Sequence, residues 1–218
     1  MDAALFHAEA TRSVVRVGKG RGFVVAAEYG RHYVVTAAHC LPVLPPANSL
    51  SARTYRELLG SLHGEPTVWA QCCYVDPVGD IAVLAEPDDQ MMWHKSDAYT
   101  ELFNHVPPLV IREAVNQEPL WLLGLDGEWF RSKAQVTRRI WLYEATRPIL
   151  GGMSGSPLLG EDGKAVGILC VAAGTEDKPV TGGGPNACLA NHLSCWLWKE
   201  ITFAQQPPRT GRSEPDVF

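Results

Sequence analysis

Short valine-rich runs punctuated by glycine-bearing turns constrain this chain more than any other feature. SVVRV, GFVVAA, HYVVTAA, TVWAQCCYV and DIAVL lie between Ser13 and Leu84. β-Branched and aromatic residues in runs this short pack on a pleated surface, so each reads as a strand. A polar, proline-bearing stretch from Glu86 to about Pro108 separates them from a second series: PLWLLGL, WFRSKAQV, IWLYEA, SPLLG and AVGILCVAAG. Turn signals stand at Asp126-Gly127 and at Asp162-Gly163, the latter between PLL and AVGIL where a hairpin needs it. No helical crossover separates the strands, so the pattern favours two antiparallel barrels or sandwiches over a parallel βαβ sheet. After TGGGPN the period changes: Leu189, Leu193, Trp196, Leu197 and Ile201 recur at helical intervals behind Asn186, a candidate N-cap. A C-terminal α-helix is predicted over 187–204, with a solvated tail over 205–218.

Composition narrows the function classes. With 218 residues and 46% hydrophobic content the chain can bury a substantial core. A net charge of −5 gives no basis for binding a phosphate backbone, so no nucleic-acid partner is expected. No apolar run approaches the roughly 20 residues that span a bilayer, and MDAALFHAEATRSVV lacks a basic segment followed by an apolar one. No membrane partner is expected, and the cytoplasm is the simplest location. The six cysteines are Cys40, Cys72, Cys73, Cys170, Cys188 and Cys195. Cys72 and Cys73 are adjacent and point to opposite faces of a strand, which favours free thiols over a disulfide framework. Cys188, His192 and Cys195 could share one face of the terminal helix, but three ligands on one helix with no evident fourth make a poor tetrahedral site. Core packing is the reading adopted, and neither a metal nor another cofactor is expected.

Three segments carry chemistry. HYVVTAAHC ends a strand in small residues that let the chain turn and present His39 at a cleft wall. GGMSGSPLL, from Gly151 to Leu159, surrounds Ser154 with glycines. There the backbone approaches a substrate closely enough for the amides of Gly152 and Ser154 to serve as an oxyanion hole. Asp80 opens the run DIAVL. Taken singly, each has a bland reading as a structural histidine, a glycine turn or ordinary turn chemistry. Together they supply what serine catalysis requires: a nucleophile, a base to remove its proton and an acid to hold that base in one tautomer.

In order and spacing these blocks resemble the trypsin-like serine peptidases, most closely the compact bacterial type that includes the high-temperature-requirement proteases. Matched are a TAAHC-like motif, a D-[IL]-A-[VL]-L strand and a G-x-S-G-x-P loop, and the resemblance runs over roughly residues 13–200. It implies an all-β, chymotrypsin-like chain of two antiparallel six-stranded β-barrels with a C-terminal helix. The first barrel (13–95) would carry His39 and Asp80, and the second (109–186) Ser154; an N-terminal extension (1–12) precedes them and an interbarrel linker (96–108) joins them. The implied activity is that of a serine endopeptidase acting on protein or peptide substrates through an acyl-enzyme. A catalytically silent scaffold and a serine esterase are the alternatives.

The departures from that family also inform. Cys40 has no upstream cysteine to pair with, and its side chain is expected in the core beside the base. Met153 stands where zymogen-activated relatives carry an aspartate, so activation by N-terminal trimming is not expected; the site is either competent throughout or ordered by substrate or a regulatory protein partner. Pro148 lies six residues before the nucleophile, where an aspartate would select Arg or Lys. With Ile149 and Leu150 after it, and Cys170, Val171 and Ala172 expected along the pocket wall, the specificity site should take an uncharged side chain of small to medium size.

Overall fold

The computed structural model describes residues 3–26, 31–45, 53–87, 89–171 and 189–191. Among them the strands form two closed antiparallel barrels. The first comprises β1 (Val14–Val17), β2 (Gly20–Ala26), β3 (His32–Ala37), β4 (Arg53–Ser61), β5 (Val68–Asp76) and β6 (Ile81–Ala85), in the order β1-β2-β3-β6-β5-β4. It closes where β4 returns to β1, pairing Val15 with Ser61 and Val17 with Leu59. The second comprises β7 (Pro119–Leu123), β8 (Trp129–Val136), β9 (Ile140–Tyr143), β10 (Pro157–Gly160), β11 (Ala165–Val171) and β12 (Leu189–Asn191), in the order β10-β11-β12-β9-β8-β7. Leu159 opposite Trp121 closes it.

The valine-rich runs become strands because the barrel gives their side chains somewhere to go. Phe23, Val24, Val25, Val34, Val35 and Leu84 are fully buried, and each large side chain of this kind contributes about 1.5–3 kcal/mol relative to exposure. β8 shows the alternation expected when one face meets the core and the other meets water. Both expected turns form, with Gly127 and Gly163 at positive φ and Gly163 N donating to Gly160 O at 3.0 Å. The register of β3 against β6, Ala37 opposite Ile81, brings the end of one strand and the start of the other to the same rim of the barrel. His39 and Asp80 lie just beyond that pair.

Several elements depart from the sequence reading. Residues 1–12, expected as an extension, contain helix α1 (Ala3–Arg12). It lies against the second barrel: Trp129 Nε1 donates to Thr11 Oγ1 at 2.8 Å, and the His7 ring stacks on Trp129. The polar stretch between the two series contains helix α2 (Asp89–Phe103). Ser96, Tyr99 and Phe103 are buried along one stripe of it, and Tyr99 donates its hydroxyl to His32 O at 2.9 Å. β4 was not expected, because its alternation breaks at a bulge between Tyr55 and Leu59 where Glu57 takes φ +50°. The predicted terminal helix is corrected at its start. Leu189–Asn191 is extended and pairs with both β11 and β9, supplying the sixth strand that closure requires. Local helical period loses there to tertiary pairing. The rest of that prediction, 192–204, and the tail lie outside the described residues.

Candidate active site

The chain turns sharply after β3 through a short 3-10 turn, Ala38–Cys40. Ala37 and Ala38 are buried, and their small side chains let the turn seat against the barrel while the His39 side chain remains 48% exposed. Asp80 is delivered by a turn in which the Asp76 carboxylate accepts from Val78 N at 2.9 Å and Gly79 N at 2.8 Å. Its own φ is +57°, a left-handed conformation that Asp tolerates better than most residues. That geometry aims three acceptors at the histidine turn. Asp80 O accepts from Ala38 N at 3.1 Å, Oδ1 from His39 N at 3.0 Å and Oδ2 from His39 Nδ1 at 2.7 Å. Because a carboxylate only accepts, Nδ1 carries the proton and Nε2 is left with its lone pair. The hydrogen bond to Asp80 raises the His39 pKa above the ordinary imidazole value of 6.5, and partial burial opposes it.

Ser154 comes from the loop entering β10. Leu150 to Met153 form a turn, with Met153 N donating to Leu150 O at 3.3 Å and Gly152 at φ +88°. A type II turn requires such a φ at its third residue, hence glycine there. Met153 is 1% exposed, packs in the second barrel's core and accepts from Leu150 N through its sulfur at 3.2 Å. A thioether buried in this way cannot receive a new N-terminal ammonium. Beyond the serine, Gly155 has φ +85°, and a Cβ there would collide with the Arg21 carbonyl. Gly155→Ala is therefore expected to destabilise the fold by about 3 kcal/mol or more, combining overpacking with left-handed strain; an unchanged urea midpoint would contradict this packing.

The two barrels meet at the serine's main chain. Ser154 O accepts from Arg21 N at 2.8 Å and from the Cys40 thiol at 3.6 Å, which sets the serine's backbone beside the residue that follows His39. Ser154 is 8% exposed. Among the described residues the histidine is hydrogen-bonded to Asp80 and not to Ser154 Oγ. Neither the Gly152 nor the Ser154 amide donates to a protein acceptor among the described residues. Cys40 is 8% exposed, and burial pushes its thiol up to about 11, so it stays protonated and unreactive, in the core as expected.

The expected specificity residues scatter. Pro148 is exposed, Leu150 is half-buried against the second core and Ile149 is fully buried within it. Ile149 therefore has no surface with which to line an open pocket. Cys170 is 1% exposed, and its thiol donates to Asp80 O at 3.5 Å, in the seam between the barrels. Sequence alternation along β11 could not show that this face meets the other barrel. The side chain of Val171, and Ala172 altogether, lie outside the described residues, as do Cys188, His192 and Cys195. Cys40, Cys72, Cys73 and Cys170 are free thiols, with Cys72 buried and Cys73 exposed as neighbouring strand residues must be. No helix among the described residues is long and apolar enough to cross a membrane.

Residues 20–168 match the family model described as the trypsin-like peptidase domain. No curated protein sequence matches the chain. Among solved structures it is similar to Rv3671c from M. tuberculosis H37Rv, in an inactive serine-to-alanine form, at 18% identity and a TM-score of 0.52, covering 93% of this chain and 92% of that one. It is also similar to the HtrA-type protease AlgW with a bound tripeptide, at 16% identity and a TM-score of 0.55. That alignment covers 94% of this chain and 63% of AlgW. At these identities the likeness speaks for the double-barrel fold.

Proposed function

The chain belongs to the family of trypsin-like peptidase domains, and from that premise we propose that it is a serine endopeptidase in which Ser154 is the nucleophile, His39 the general base and Asp80 the group that orients the base. The observation that carries this reading is the carboxylate-held imidazole: Asp80 grips both the ring and the main chain of His39, at 2.7 Å and 3.0 Å. No structural requirement of the barrel calls for a half-exposed histidine fixed in one tautomer. In the proposed reaction His39 Nε2 takes the Ser154 proton as Oγ attacks the scissile carbonyl. The resulting oxyanion is held by the amides of Gly152 and Ser154, and the fact that neither donates to a protein acceptor among the described residues supports that role. His39 then gives its proton to the leaving amine, and water hydrolyses the acyl-enzyme by the same steps in reverse.

Free thiols support a reducing compartment such as the cytoplasm, where a peptidase must be restricted in what it cleaves. With Pro148 exposed in place of an acidic selector, cleavage is expected after uncharged side chains of small to medium size. Profiling a peptide library tests activity and preference together. Cleavage within peptides and after uncharged residues is the expected result. Dominant cleavage after Arg or Lys would overturn the preference, and hydrolysis of esters without any peptide turnover would overturn the peptidase reading.

A further inference from the structure

Arg21 lies in β2 between two glycines and is only 6% exposed. Arginine is almost never buried to this degree without a carboxylate, because desolvating its charge is costly. Among the described residues the guanidinium's hydrogen-bond partners are two carbonyls and a hydroxyl. Nη1 donates to Leu123 O at 2.8 Å and reaches Ser156 Oγ at 3.5 Å, while Nη2 donates to Gly124 O at 2.9 Å. Burial lowers its pKa, and Asp126 in the adjoining turn opposes that.

The acceptors lie on the other barrel, on both sides of the candidate oxyanion site. Leu123 and Gly124 lead into the β7–β8 turn, and the next residue, Leu125, brings Cδ2 to 3.5 Å from where a Cβ on Gly152 would stand. Ser156 follows the nucleophile by two residues. The Arg21 main chain grips the same loop: its N–H donates to Ser154 O at 2.8 Å, and its carbonyl occupies the space a side chain at Gly155 would need. Thr36 Oγ1 fixes that carbonyl from β3, at 2.6 Å. One residue of the first barrel thus braces Ser154 through its backbone and the segment behind Gly152 through its guanidinium.

We propose that Arg21 is a positioning residue for the nucleophile loop, holding the Gly152 and Ser154 amides at the spacing the oxyanion needs by tying Ser154 O, Leu123 O and Gly124 O to one strand. The proposal rests on the serine-peptidase reading above. It makes Arg21 matter for acylation at a position that barrel closure alone would fill with any apolar side chain.

The test is the rate constant for phosphonylation of Ser154 by a fluorophosphonate, per folded molecule, with thermal unfolding and the pH profile recorded in parallel. Arg21→Met keeps the main-chain bond and removes the brace. Its phosphonylation is expected to slow by about 10- to 100-fold, the scale at which small misplacements act. The pH midpoint stays unchanged, because Arg21 does not touch His39. Arg21→Lys, which retains a donor, recovers part of the rate, and it carries the test alone if the methionine variant does not fold. A wild-type rate per folded molecule in Arg21→Met, or in Arg21→Lys where the methionine variant does not fold, even with a lowered unfolding temperature, would overturn the proposal and leave Arg21 purely structural. Absence of labelling in the wild type would instead overturn the peptidase reading, and the proposal with it.

Discussion

Ser154→Ala and His39→Ala are each expected to lower peptide turnover about 10⁶-fold under the proposed mechanism, and the double variant to lose little more than either single one. Serine and histidine act as a unit: without the base the hydroxyl is a poor nucleophile, and without the hydroxyl the base has no proton to take. What survives in each variant is binding and the oxyanion amides, which do not depend on either side chain. The fold should be untouched. Ser154 is joined to the first barrel through its carbonyl, which alanine keeps, and His39 is half-exposed. Steady-state hydrolysis of a fluorogenic peptide, with circular dichroism as the folding control, makes the measurement. Residual activity within about 10-fold of wild type, a loss too small for a triad member, would remove either residue from the mechanism.

Asp80→Asn is expected to lower turnover about 10⁴-fold, on the scale seen when an orienting carboxylate becomes an amide. The reason lies in the two contacts Asp80 makes with His39. The amide oxygen can still accept from His39 N, but the NH₂ then faces Nδ1 and donates to it. The ring proton moves to Nε2, the atom that must receive the serine's proton. Ala38 N keeps its bond to the residue 80 carbonyl, so the turn survives. The pH profile separates this effect from a loss of structure. The proposed mechanism requires neutral His39, so the rate is expected to climb as pH rises through the His39 pKa; the Asp80 hydrogen bond raises that pKa, and the wild-type acid limb is therefore expected above 6.5. In Asp80→Asn the limb shifts to lower pH as the rate falls. An unshifted limb would mean that the carboxylate does not govern the histidine.

Much of this architecture was legible in the sequence because valine-rich strands and glycine turns are local signals. DIAVL and HYVVTAAHC announced both the strands and the residues at their ends, and the barrel register brings those ends together at Ala37 and Ile81. Elements set by tertiary contact were not legible. β4 hides behind a bulge at Glu57, α2 sits in a polar stretch where its buried Tyr99 and Phe103 are flanked by charged and polar residues, and Leu189–Asn191 reads as helix until the second barrel needs an edge covered. For Cys170, expected along a pocket wall with Val171 and Ala172, the strand pattern does not show what packs against it; its thiol donates to the carbonyl of Asp80. Arg21 escaped notice for the same reason. A charged residue flanked by glycines reads as a solvated strand position, and only its reach into the second barrel shows otherwise.

The most direct measurement is a crystal structure of the protein after reaction with a fluorophosphonate. The account predicts phosphorus bonded to Ser154 Oγ, a phosphonyl oxygen about 2.7–3.1 Å from the amides of Gly152 and Ser154, and His39 Nε2 within hydrogen-bonding reach of the adduct while Nδ1 remains on Asp80. An adduct on any other residue, or one on Ser154 with the imidazole turned away from it, would contradict the account.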